Sequence, residues 1–151
     1  MARRPRQRKY NGTSYRSGLE VNICKQLEAA KIPFEFEQTT LQYFLKIRKG
    51  SCEDCKSTNV YQEHWYTPDF ILLNSGIIVE TKGQFISKDR TKMLAVREQH
   101  PDLDIRMLFY ADSKLTKGRA EKCSDWCKKH NFKYAIKTIP QEWLDERKNI
   151  T

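Results

Sequence analysis

The chain has 151 residues, 38% of them apolar and 31% charged, and its 28 Lys and Arg against 19 Asp and Glu leave a formal net charge of +9. That length suits one domain with a real core, and the excess positive charge suits a polyanionic partner, nucleic acid first and an anionic membrane surface second. No apolar run approaches the roughly 18 residues of a membrane span and the N-terminus lacks a signal-peptide core, so a soluble, cytoplasmic protein is expected.

Residues 1–13 read as a disordered basic arm. Arg3, Arg4, Arg6, Arg8 and Lys9 come with no acid and no apolar face, a pattern that fits phosphate contacts or a plain solubilising tail. Arg16 joins these candidate DNA contacts. Ser17-Gly18-Leu19-Glu20 fits a capping box opening a helix, Leu19, Ile23, Leu27 and Ala30 mark its core face, and Pro33 ends it. Glu20 lies at the edge of that face. It serves either as the cap or as a carboxylate of a site, and spacing leaves both open.

Phe34-Glu35-Phe36-Glu37 alternates as a half-buried strand does, and Leu41 to Ile47 is rich in strand formers. Residues 48–64 read as a loop carrying Cys52 and Cys55. A Cys-x₂-Cys turn is half of a structural zinc site, with Cys123 and Cys127, His64 or His130 as possible second halves, none at a diagnostic spacing. The alternative is a surface loop with two free thiols. Cys24 reads as a core residue. Five cysteines, an odd number, argue against a disulfide framework.

Tyr66 to Gly83 is the most informative stretch. Phe70 to Leu73 and Ile77 to Val79 flank Asn74-Ser75-Gly76 and read as a β-hairpin. Pairing outward from the turn sets Asp69 level with Glu80, and Lys82, two residues on, shares a face with Glu80. Two carboxylates and an ammonium thus converge at one end. Such a group can hold Mg²⁺ or Mn²⁺ and act on a phosphodiester. The bland alternative is a solvated cross-strand ion pair.

A helix is predicted over Ser87 to Gln99, with Lys88, Arg90, Lys92 and Arg97 giving a basic surface. A doubly buried strand follows over Asp104 to Tyr110, then a basic loop with Lys114, Lys117 and Arg119. A helix over Ala120 to His130, a strand over Phe132 to Ile136 and a short helix with Pro140 at its first position complete the order. Residues 14–146 form a single domain with a short tail at 147–151. The class is α/β, a mixed sheet with helices on its faces.

Pro68-Asp69 followed by Glu80-Thr81-Lys82 resembles the PD…(D/E)xK signature of restriction-endonuclease-like nucleases. With Tyr15-Arg16-Ser17-Gly18-Leu19-Glu20, Tyr66 to Phe70, Val79 to Gly83, Arg97 to Arg106 and Ile139 to Trp143 in order, roughly residues 14–145 resemble the bacteriophage endonuclease I family, which resolves four-way (Holliday) DNA junctions. The resemblance implies that Asp69 and Glu80 bind one or two Mg²⁺ or Mn²⁺ ions, that Glu20 completes the carboxylates and that Lys82 acts on the water or phosphate. It implies a restriction-endonuclease-like sheet in an intertwined, domain-swapped homodimer, with residues 38–47 as an inter-subunit β-bridge and Glu20 meeting Asp69 and Glu80 across chains. The Cys52 to Gln62 region is an insertion relative to that pattern, so zinc lies outside the resemblance. Two other readings stay open: a related nuclease nicking or cutting linear duplex, and a non-catalytic, zinc-containing nucleic-acid-binding protein.

Overall fold

The computed structural model describes residues 7–47 and 60–148. In chain order the elements are β1 (Arg8–Tyr10), β2 (Thr13–Tyr15), α1 (Gly18–Ala29), β3 (Phe34–Phe36), β4 (Leu41–Ile47), β5 (Val60–Tyr66), β6 (Phe70–Leu72), β7 (Ile78–Lys82), α2 (Ser87–Gln99), β8 (Ile105–Phe109), α3 (Cys123–Lys129), β9 (Tyr134–Ile136) and α4 (Gln141–Asp145). Arg3, Arg4, Arg6, Cys52 and Cys55 fall outside the described residues, and with them the expected zinc turn.

Five strands form one mixed sheet in the order β3-β6-β7-β8-β9. The hairpin is antiparallel with Phe70 opposite Val79, and β8 and β9 then add in parallel. Parallel neighbours need long crossovers, which α2 and α3 supply. One face, with Phe70, Leu72, Val79 and Leu108, packs on Leu19, Ile23 and Leu27 of α1 and on Trp143 and Leu144 of α4. The other, with Ile78, Ile105, Met107 and Phe109, packs on Met93 and Val96 of α2 and on Trp126 and Cys127 of α3. Cys24, Cys123 and Cys127 are buried free thiols, and burial pushes the Cys127 thiol up to about 12. They are core residues, unsuited as thiolate ligands.

Several boundaries differ from the sequence reading for local reasons. Residues expected in the disordered arm form strand: Arg8 and Lys9 lie in β1, which pairs with β2 around Asn11 and Gly12, both at positive φ, the geometry of a two-residue hairpin turn. Tyr10 and Asn11 tie it to Glu28 of α1 at 2.7 and 3.2 Å. Helix α3 starts at Cys123, not Ala120, because the Leu115 amide donates to the Glu121 carbonyl and folds the preceding residues into a loop. Pro140 caps α4 instead of occupying its first turn. No helix of the described residues is long and apolar enough to cross a membrane.

Strands β4 and β5 make a separate antiparallel ribbon, Leu41 opposite Tyr66 through Ile47 opposite Val60. Residues 60–64 are therefore strand, not loop, and β4 pairs with β5 along its whole length. Its free edge is held by α2. The Gln99 side chain accepts from the Phe44 amide and donates to the Phe44 carbonyl, both at 2.8 Å, and His100 Nε2 meets the Gln42 carbonyl at 2.7 Å.

Candidate active site

The expected register holds at the mouth of the hairpin. Glu80 and Lys82 share a face, with Lys82 Nζ 3.2 Å from Glu80 Oε1. The other Glu80 oxygen accepts from the Tyr66 hydroxyl at 2.7 Å. Asp69 Oδ2 accepts from both the amide and the hydroxyl of Thr81 at 2.8 Å, which fixes the carboxylate at the strand end. The capping box is formed as well. Ser17 Oγ accepts from the Glu20 amide at 3.2 Å, and Glu20 Oε2 accepts from the Arg16 and Ser17 amides at 2.7 and 3.3 Å. Glu20 is the cap and also lies in an acidic group, because carboxylate oxygens of Glu20, Glu37 and Asp69 all lie within 4.8 Å of one another.

Glu37 is the residue that sequence reasoning missed. It lies just past β3 at a φ of 48°, a left-handed conformation uncommon for side chains with a Cβ, and its amide donates to the Asp69 carbonyl at 3.0 Å. The Phe34 to Glu37 alternation hints at a face for it, but nothing local signals this long-range pairing. Asp89, 3.6 Å from Lys82, was missed too. Glu20 and Asp69 approach each other within the chain.

The electrostatics divide the groups. Burial first, and the Asp69 charge second, raise Glu80 to about 7 against the opposing pull of Lys82 and Tyr66. Burial and Asp69 also raise Glu20, opposed by the Arg16 amide. Burial disfavours the Lys82 ammonium, but Glu80, Asp89 and Asp69 outweigh it and leave Lys82 above its ordinary value. Burial and Glu80 hold the Tyr66 phenol protonated.

Of the basic candidates, Arg16 pairs with Glu37 and stands 3.7 Å from Asp69, balancing the acidic group. Lys92 lies 5.5 Å from the centre of the Tyr66 ring, near enough to help ionise Glu80. Arg90 turns back to the Phe85 carbonyl. Lys88, Lys117 and Arg119 are exposed and lie outside this constellation.

Hard oxygen donors from three elements, a protonated amine and a carboxyl poised near neutrality share one end of the sheet. Comparison with known proteins gives the family. The family model described as Phage endonuclease I matches residues 1–151. Endonuclease I of Escherichia phage T7 is 44% identical over 136 residues, covering 89% of this chain and 81% of the relative. Endodeoxyribonuclease 1 of Enterobacteria phage T3 is 42% identical over 138 residues, covering 91% and 81%. The chain belongs to the phage endonuclease I family.

Proposed function

We propose that the protein is a structure-selective DNA endonuclease of the PD-(D/E)xK type, which resolves four-way and other branched junctions by metal-dependent hydrolysis of phosphodiesters. The observation that carries this reading is the convergence of Asp69, Glu80 and Lys82 at the hairpin mouth, beside Glu20 and Glu37. Carboxylate oxygens are the donors that Mg²⁺ and Mn²⁺ take, so Asp69, Glu80 and Glu20 would hold one or two such ions, with Glu37 alongside. Bound there, such an ion would acidify water and offset charge on the phosphoryl oxygens.

The chain's own groups do the rest. Lys82, held protonated, stabilises charge on the transferring phosphate and is not a general base at neutral pH. Tyr66 donates to Glu80 and keeps its carboxylate aimed at the mouth. Thr81 does the same for Asp69. Arg16 neutralises Glu37 and Asp69 before substrate arrives and lies ready to meet a phosphate. Selectivity comes from junction shape and phosphate positions, not base edges.

Paired incisions on opposing strands require two sites at fixed separation, and a homodimer provides them. Exchange of α1 and β3 between protomers through β4 would rebuild the Glu20–Asp69 contact across chains without changing its geometry.

The test is incubation of wild type and Glu80→Ala with a labelled four-way junction and with its linear arms, with and without Mg²⁺. Wild type should cut the junction in Mg²⁺ and spare the arms, while Glu80→Ala binds the junction uncut. Equal cleavage of the arms, or Mg²⁺-dependent cleavage by Glu80→Ala, would overturn the reading.

A further inference from the structure

Beyond the carboxyl ends of the parallel strands lies a feature that the chemistry above does not use. Lys82, Phe109 and Ile136 are register partners across β7, β8 and β9. The residues one step on, Gly83, Tyr110 and Lys137, therefore form a row along the sheet end that carries Glu80 and Lys82. Crevices at the carboxyl ends of parallel strands are where open α/β sheets bind ligands.

The row is firmly placed. The Tyr110 amide donates to the Lys82 carbonyl at 3.0 Å, and the Lys137 amide donates to the Phe109 carbonyl at 2.8 Å. Lys137 sits at a φ of 67°, a conformation a lysine rarely adopts. The Tyr110 ring belongs to a residue 60% exposed. Two cavities of about 420 and 410 Å³ meet along it and share Leu19, Asn22 and Tyr110. One runs to Arg8 and Gly83, the other to Lys137. Among the described residues, no acidic side chain lines either one. Arg8 lies along the wall over Gly18, where a Cβ would come within 2.6 Å of the Arg8 guanidinium.

We propose that this groove seats the DNA strand flanking the scissile phosphate, with Tyr110 stacked on a base or sugar and Arg8 and Lys137 on successive phosphates. The inference rests on the nuclease reading above and names the part of the substrate that the groove holds. Strands in a sheet are about 4.8 Å apart, so Lys137 stands two strands, roughly 10 Å, from the backbone of Lys82. At about 3.4 Å of rise per nucleotide, that is a few nucleotides from the cut. Two cations with no acid fit a phosphate chain, and an exposed ring accepts any base on its face.

The test is binding of the full-length protein to a labelled four-way junction in EDTA over a salt series, with thermal melts to verify folding. Lys137→Gln should weaken binding several-fold and lower the slope of log K against log salt by about one. Tyr110→Ala should weaken it about tenfold with the slope unchanged. Tyr110→Trp and Lys137→Arg should restore wild-type binding, and Lys129→Ala on α3 should leave affinity and slope alone. A base analogue placed beside the cut should lose fluorescence on binding to wild type and keep it with Tyr110→Ala. If wild type binds and cuts junctions while Tyr110→Ala and Lys137→Gln match it in affinity and slope, the groove assignment is wrong and the nuclease reading stands. A wild type without preference for junctions would instead overturn the reading beneath it.

Discussion

Glu80 and Arg106 are both buried charges on adjoining strands, 2% and 1% exposed, and they are treated in opposite ways. Arg106, on the face under α1 and α4, is ringed by acceptors. Its guanidinium bonds both oxygens of Asp104 at 3.0 and 2.6 Å and both of Glu146 at 2.7 Å, and it stands 5.2 Å from the Trp143 ring centre. Burial disfavours its charge, yet these bonds outweigh burial and hold it above its ordinary value. Glu80, on the opposite face, has Tyr66 and Lys82 but must share the site with Asp69. The difference separates a structural charge from a chemical one. Arg106 is fully paired and fastens the chain after α4 to the sheet, whereas Glu80 is left under-compensated where a cation would complete it.

The comparison can be broken by substitution. Glu80→Ala should lower junction cleavage on the order of 10³-fold while leaving junction affinity intact, measured by single-turnover assays and gel shifts. Lys82→Ala should follow, on the order of 10²-fold, because an electrostatic stabiliser is lost. Arg106→Ala should leave turnover per folded molecule unchanged and cost about 3 kcal/mol of stability in urea unfolding, since a buried paired charge and its packing are removed.

The pH dependence sharpens the same contrast. Glu80 titrates at about 7 in the fold against an ordinary 4.5. A raised carboxyl contributes stability that is present below the unfolded value and lost as pH rises through the folded one. Without divalent ions, stability should therefore fall between pH 4.5 and 7 by roughly 3 kcal/mol at most, and Glu80→Gln should flatten that fall in thermal melts at pH 5 and 8. The smallest effect belongs to Ser17→Ala, which should cost about 1 kcal/mol through loss of the α1 cap. It should also loosen Glu20, read as a weaker response of cleavage to Mg²⁺ concentration.

Much of the sheet and most of the candidate site were legible in the sequence because their signals are local. The hairpin turn fixes the Asp69–Glu80 register, and Ser17 and Glu20 announce their helix. What escaped depends on distant partners. Glu37 joins only through the Asp69 carbonyl, and Arg106 lies inside what reads as an apolar strand because its carboxylates sit two and forty residues away. Asn11-Gly12 is a strong turn signal, but the run of charge around it argued for disorder, and contacts with Glu28 decided the matter.

The amide of Gln99, bonded twice to the Phe44 backbone, stands in for a strand along β4. A bare ladder edge recruits other chains. One side chain on α2 therefore acts as a guard against runaway stacking of ribbons. Its loss would show first as turbidity in concentrated samples, long before any assay of cutting registered a change.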